Sequence, residues 1–275
     1  MTEQQEITIQ MLKVADASQL GLWEPLRALA LKDPARNYFI LLGLLNPLKT
    51  FEKVITATDQ HGDLQAAFYL RRSGNAQFCA SKTFSQSRSL AEAVSRVTYL
   101  QLIAAEAYVS LLEPFGIVEK VKRGAEIAVL QADEAVRMKA QGDYRIEPLS
   151  VQHIEEVIAL YRQCFPSFSP KALMEERLNS GRGHGVFLRE DGQMAGCAQS
   201  EFETPESALI VGVATAPLYR GRGFASACVS ALVESLAIPG RSFALQYDNP
   251  GAGRIYHRLG FKPVDYVGHY QIRRD

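Results

Sequence analysis

Between an apolar run, Ala208 to Ala214, and a helix-like run, Ala225 to Leu236, the chain reads Arg220-Gly221-Arg222-Gly223-Phe224-Ala225. Strand, basic glycine-rich loop, then helix is how a fold offers bare backbone N–H groups to an anion. Glycines let the backbone approach the ligand closely, and a helix start adds the positive end of its dipole. Two arginines add full charge. The segment predicts a pyrophosphate cradle, and the rest of the chain must say whose pyrophosphate.

The remaining composition narrows the class. In 275 residues, 47% are hydrophobic and 22% charged, which describes a soluble globular chain of one large domain or two ordinary ones. Lys+Arg and Asp+Glu both number 30, so no bulk positive charge favours nucleic acid. The longest apolar run, Tyr38 to Leu45, is too short to span a bilayer, and no membrane partner is expected. The polar, acidic stretch Met1 to Gln10 does not read as a signal peptide, so the expected location is cytoplasmic. Cys79, Cys164, Cys197 and Cys228 form no C-x-x-C pair, and the five histidines are scattered. The expectation is four buried thiols in a reducing compartment and no metal.

Patterning suggests two similar halves. In the first, Ile7 to Ile9 reads as a strand, Trp23 to Leu31 and Asn37 to Leu45 as helices, and Val54 to Thr58 with Leu64 to Arg71 as a hairpin. Gln77 to Ala80 is a further strand. Leu90 through Leu111 repeats at helical spacing, and Glu126 to Gln131 is a last strand. Polar residues Ala132 to Gly142 make a candidate linker. In the second half, Tyr144 to Glu147 is a strand, followed by helices at Ser150 to Phe165 and Pro170 to Asn179. Val186 to Arg189 and Met194 to Phe202 form a hairpin, and Leu209 to Ala214 leads into the glycine loop and its helix. Phe243 to Tyr247 is a strand, Ala252 to Leu259 a short helix, and Phe261 to Tyr266 with Tyr270 to Arg273 a closing hairpin. Each half thus reads strand, two helices, three strands, long helix, strand. The first lacks the glycine loop: before Leu90 stands Phe84-Ser85-Gln86-Ser87-Arg88-Ser89.

Three phosphate loops compete for the motif. A nucleotide P-loop needs G-x-x-x-x-G-K-[ST], and no Gly-Lys pair occurs nearby. A dinucleotide fingerprint finds two of its glycines in Gly221 and Gly223, with Asp248 placed for a ribose. Yet Thr215 to Arg220 intervene between strand and glycines, Ser226 replaces the third glycine, and too little chain follows Asp248 for a doubly wound sheet. The third is [QR]-x-x-G-x-[GA], which Arg220 to Ala225 satisfies at every specified position. Downstream, Asn249, Ala252, Tyr256 and Leu259-Gly260-Phe261 reproduce N-x-x-A-x-x-x-Y-x-x-L-G-F. On these two motifs the stretch from about Asp143 to Asp275 resembles the GNAT N-acyltransferases.

The resemblance implies an α+β fold of tandem GNAT-like units, each a mixed, mostly antiparallel sheet flanked by helices. Residues 1–140 would be a degenerate unit, and residues 141–275 would bind acetyl-CoA or another acyl-CoA as cosubstrate. It implies that N–H groups of Arg222 to Ala225, across Gly223 and Phe224, hold the pyrophosphate, with Gly221 shaping the turn. Arg220 would support the loop or pair with phosphate. Val213 and Thr215 would bond the pantetheine arm through their backbones, on a strand that splays from its neighbour, and Val213 N–H would donate to the thioester oxygen. Asn249 would contact the coenzyme from its strand end, unless it only caps the following helix.

Three tasks remain: hold a thioester, deprotonate an ammonium, and protonate a leaving thiolate. Tyr256 matches the motif tyrosine, and a phenol with pKa about 10 can donate to a thiolate of about 8.5. For the base, Glu201 and Glu203 alternate onto one face of an extended chain, with Glu206 behind them. The alternative for both is a solvated strand end. The expected reaction is direct attack by a primary amine in a ternary complex. The acceptor is expected to be a small-molecule amine, with an amino acid, polyamine, aminoglycoside-like compound or protein N-terminus all open. The layout resembles tandem glycine N-acyltransferase-like proteins, in which the first unit shapes an acceptor site. Monomer and homodimer stay open, and the rival reading is a non-catalytic acyl-CoA sensor or interaction module.

Overall fold

The computed structural model describes residues 7–137 and 144–273. It divides into two compact units, Met1–Ile127 with Asp265–Asp275, and Ala128–Val264. The division falls inside two strands rather than at the expected 140/141. The expected linker starts as a 3₁₀ turn, Ala132–Glu134, and its residues 138–142 lie outside the described residues.

The first unit starts with β1 (Thr8–Lys13), α1 (Val14–Gln19), α2 (Trp23–Leu31), α3 (Tyr38–Leu44) and α4 (Pro47–Thr50). A meander follows: β2 (Phe51–Thr58), β3 (Leu64–Arg71) and β4 (Asn75–Ala80). Next come α5 (Arg88–Ser95), β5 (Gln101–Ala105), α6 (Glu106–Val109) and β6 (Val118–Gln131), whose residues 118–127 belong here. β1 to β4 pair antiparallel in sequence order, and β5 lies parallel to β4. These strands are covered on both faces: the neighbours Phe68 and Tyr69 point to opposite sides and are both buried, as are Phe51 and Phe78.

Two expectations fail in this unit. The long helix from Leu90 to Leu111 is instead α5, β5 and α6. In so apolar a stretch, helical spacing is met even where the chain is extended. Residues 101–105 fill a sheet position, parallel to β4 on one side and antiparallel to the last strand on the other, and that pairing overrides the local pattern. That last strand, β12 (Lys262–Ile272 in its full run), is the second failure. The expected closing hairpin does not form, because Gly268 stays in the strand opposite Ala104. A Cβ on Gly268 would sit 2.4 Å from the Tyr270 ring, so the glycine marks close packing and not a turn.

The second unit runs β7 (Ile146–Pro148), α7 (Ile154–Cys164), α8 (Lys171–Asn179), β8 (Gly185–Glu190), β9 (Gln193–Glu201) and β10 (Ser207–Thr215). It continues with α9 (Phe224–Leu236), β11 (Ser242–Tyr247) and α10 (Pro250–Arg258). Sheet order is β11-β10-β9-β8-β7, with β10 and β11 parallel and the other pairs antiparallel. α9 is the crossover between the parallel strands and packs on β8, β9 and β10. Residue parity on β9 separates the helices: Gly196 faces Phe224 of α9, whereas Gln199 bonds Tyr161 of α7. Phe187, Phe224, Cys228, Leu232 and Phe243 fill the core.

Candidate functional site

β10 and β11 are paired only at their starts, Ser207 to Leu209 against Ser242 to Ala244. Beyond that the strands part. The opening is a cleft of about 1100 Å³, walled by Ile210 to Thr215 on one side and Leu245 to Asn249 on the other. It is closed at one end by Gly221 and Gly223 to Ser226, and along another side by residues of α10. β10 is also irregular toward β9: Val211 pairs Gln199 and Ala214 pairs Cys197, so Gly212 and Val213 form a bulge with Gly212 at φ +58°. Val213 therefore lies outside the ladder on both sides. Thr215 lines the same wall, and its Oγ1 is buried without a hydrogen-bond partner among the described residues.

The glycine loop ends at this cleft. Gly223 is the N-cap of α9 at φ +84°, a conformation that costs a residue with a Cβ roughly 1–2 kcal/mol. No side chain caps this helix, so its first N–H groups face the cleft without a side-chain acceptor. α5 in the first unit differs: Ser87 caps it by accepting from Leu90 N–H at 3.3 Å. The two arginines also differ from each other. Arg220 lines the cleft, and its Nε donates to Thr215 O at 3.4 Å. Arg222 turns to the side. Its guanidinium meets Glu190 at 2.7 Å, bonds Tyr144 Oη, and lies over the Phe224 ring at 5.1 Å. Its charge is matched by Glu190, and its side chain does not line the cleft.

Tyr256 and Asn249 both reach the cleft from α10 and its cap. Tyr256 is 7% exposed, between the rings of Tyr247 at 5.3 Å and Phe261 at 5.9 Å. Burial pushes its phenol up to about 12, so it is protonated throughout the neutral range. Asn249 caps α10 by accepting from Gly251 N–H at 2.8 Å, which leaves its amide N–H₂ as the donor group. His257 also lines the cleft, with Nε2 2.8 Å from Tyr247 Oη.

The carboxylates are placed differently from the expectation. Neither Glu201 nor Glu203 lines the cleft. Glu201 is buried and ion-paired with the buried Arg177 of α8. Glu203 accepts from Ser200 Oγ and sits 2.9 Å from His184 Nδ1. Glu206 is exposed, its carbonyl accepting from Ser242 N–H. Asp248 is the carboxylate on the cleft wall. Among the thiols, Cys79, Cys197 and Cys228 are buried, and burial raises all three well above the ordinary value. Cys164 departs from the expected burial: it is half-exposed at the cleft, donating to Thr215 O at 3.4 Å.

Sequence reasoning missed Tyr161, whose Oη donates to Gly212 O at 2.8 Å. One signal was available: an isolated glycine inside an apolar strand marks a bulge or a close approach. Which side chain makes that approach depends on how α7 crosses the sheet, which local sequence does not encode. Among the described residues no group of three or more His, Cys, Asp or Glu is placed to hold a metal ion.

Residues 154–261 match the family model of the Acetyltransferase (GNAT) family. No curated protein matches the chain. Among solved structures, an acetyltransferase of the GNAT family from Colwellia psychrerythraea superimposes with TM-score 0.67 at 12% identity, over 97% of this chain and 100% of that one. A tandem GNAT protein from the clavulanic acid biosynthesis pathway gives 0.61 at 16% identity, over 98% and 100%. A GCN5-related N-acetyltransferase from Sphaerobacter thermophilus gives 0.57 at 17% identity, over 98% and 96%. At such identities the likeness is one of fold.

Proposed function

We propose, from the match of residues 154–261 to the GNAT acetyltransferase family model, that the protein is an N-acyltransferase using acetyl-CoA or another short acyl-CoA. The observation that carries this reading is that splayed β10 and β11 share one cleft with the uncapped start of α9. The residues present fit the coenzyme: bare N–H groups and Arg220 for a pyrophosphate, and an unpaired strand edge for an amide-bearing arm. When bound there, the cosubstrate supplies an acyl group activated as a thioester.

The chain's own groups divide the work. Backbone N–H groups at the start of α9 and the Arg220 guanidinium hold the phosphates. The Val213 to Thr215 edge aligns the arm, and Val213 N–H stabilises negative charge developing on the thioester oxygen. An uncharged primary amine attacks the acyl carbon, so a C–N bond forms and the C–S bond breaks. The sulfur leaves with the bonding pair and takes a proton from Tyr256 Oη, and the nitrogen loses one proton to solvent. Solvent then reprotonates Tyr256. We assign Glu201 to holding Arg177 rather than to proton removal, because its carboxylate is engaged away from the cleft wall. The first unit, whose corresponding helix is capped by its own Ser87, takes no coenzyme in this reading. Four free cysteines suit a reducing, cytoplasmic setting, and no helix among the described residues is long and apolar enough to cross a membrane.

The test is release of CoA thiol from acetyl-CoA by the full chain across a panel of amino acids, polyamines, amino sugars and peptide N-termini. Amine-dependent release above the uncatalysed rate is expected for at least one class. Coenzyme binding with no turnover across the panel would favour the sensor reading instead.

A further inference from the structure

A relay of side chains ends on the carbonyl of the Gly212–Val213 peptide. Gly212 C=O and Val213 N–H belong to one trans peptide, so they point in opposite directions. The carbonyl accepts from Tyr161 Oη at 2.8 Å and from Cys197 Sγ at 3.5 Å, and neither donor residue lines the cleft. Tyr161 Oη in turn accepts from Gln199 Nε2 at 2.6 Å, and Gln199 Oε1 accepts from Arg177 Nη2 at 2.5 Å. Arg177 is held by its ion pair with Glu201.

The polarity of this chain is forced. A guanidinium can only donate, so the oxygen of the Gln199 amide faces Arg177 and its N–H₂ faces Tyr161. Tyr161 must then spend its single proton on Gly212 O. Burial raises the Tyr161 phenol well above its ordinary range, so the proton stays in place. Two glycines make room at the two ends. A Cβ on Gly212 would lie 1.8 Å from Tyr161 Oη, and a Cβ on Gly183 would lie 2.6 Å from Arg177 Cγ and Cδ. Gly212 at φ +58° gives the bulge its shape.

Resting on the acyl-transfer reading above, we propose that Tyr161, Gln199, Arg177 and Glu201 are positioning residues that hold the Gly212–Val213 peptide with its N–H aimed into the cleft. A donor preorganised in this way needs no reorientation as charge develops on the thioester oxygen. The role differs from coenzyme binding, since none of the four lines the cleft.

The experiment compares wild type, Tyr161→Phe and Gln199→Leu, using acetyl-CoA labelled with ¹³C at the acyl carbonyl. Thermal melts establish which variants fold, and calorimetry gives CoA affinity. In wild type the bound carbonyl stretch is expected below that of free acetyl-CoA. In Tyr161→Phe that shift is expected to shrink and kcat to fall about tenfold, with KM for acetyl-CoA within about twofold. Gln199→Leu is expected to change in the same direction, and serves alone if Tyr161→Phe does not fold. A wild-type stretch and wild-type kcat in any folded variant would overturn the proposal while leaving the acyltransferase reading standing. Wild-type protein that binds no CoA would overturn that reading as well.

Discussion

Tyr256 carries the clearest chemical assignment of any single residue. A buried phenol at about 12 is a weaker acid than a free one, but it is fully protonated when a thiolate needs a proton. A thiolate emerging in the same half-apolar cleft is also poorly solvated, so its own proton affinity rises. Tyr256→Phe is expected to lower kcat about 10²-fold with little change in KM for acetyl-CoA, measured by steady-state kinetics. Unchanged turnover would remove the acid assignment. The motif made Tyr256 legible in the sequence, because its spacing from Asn249 and Leu259 is local to one helix. Arg222 was less legible. Its charge read only as part of a basic loop, and the fold shows the guanidinium facing Glu190 and the Phe224 ring.

At the scale of elements, the site is the start of α9 set against two parting strands. Gly223→Ala tests the first half of that statement. The substitution keeps φ positive at a cost of about 1 kcal/mol, or shifts the loop and its N–H groups. Gly240 supplies the control, since it holds φ +81° with nothing within 4 Å of its would-be Cβ and does not line the cleft. Both variants are expected to lose similar stability in urea, and only Gly223→Ala is expected to weaken CoA binding, by about tenfold or ~1.4 kcal/mol in calorimetry. Equal affinities would detach the glycine loop from the coenzyme. Most elements of the second unit were readable, because caps, turns and alternation there agree with the fold. The splay of β10 and β11 was expected from the family resemblance, while the Gly212 bulge was not read at all. In the first unit, β5 was masked by helical spacing, and in β12 a packing glycine looked like a turn. In each failed case a sheet partner distant in sequence decides the conformation, and local pattern carries no information about that partner.

At the scale of the whole chain, buried phenols make a prediction about pH. Burial raises Tyr256 to about 12 and also lifts Tyr69, Tyr161, Tyr99 and Tyr108 well above the ordinary phenol value. In the unfolded chain these groups release protons near 10, while the folded chain retains them. Between about pH 10 and 12 the unfolded state therefore binds fewer protons, and stability falls as pH rises. Thermal melts are expected to show little change from these groups below pH 9 and a steep decline above pH 10. A flat profile to pH 12 would contradict the burial. The similar folds on record extend over nearly the whole chain, yet the glycine loop occurs in the second unit, where α9 has no side-chain cap while α5 of the first is capped by Ser87. The most direct test of the account is a calorimetric titration of the full chain with CoA. One coenzyme per chain, weakened by Gly223→Ala, is the expected result; no binding, or two equivalent sites per chain, would contradict it.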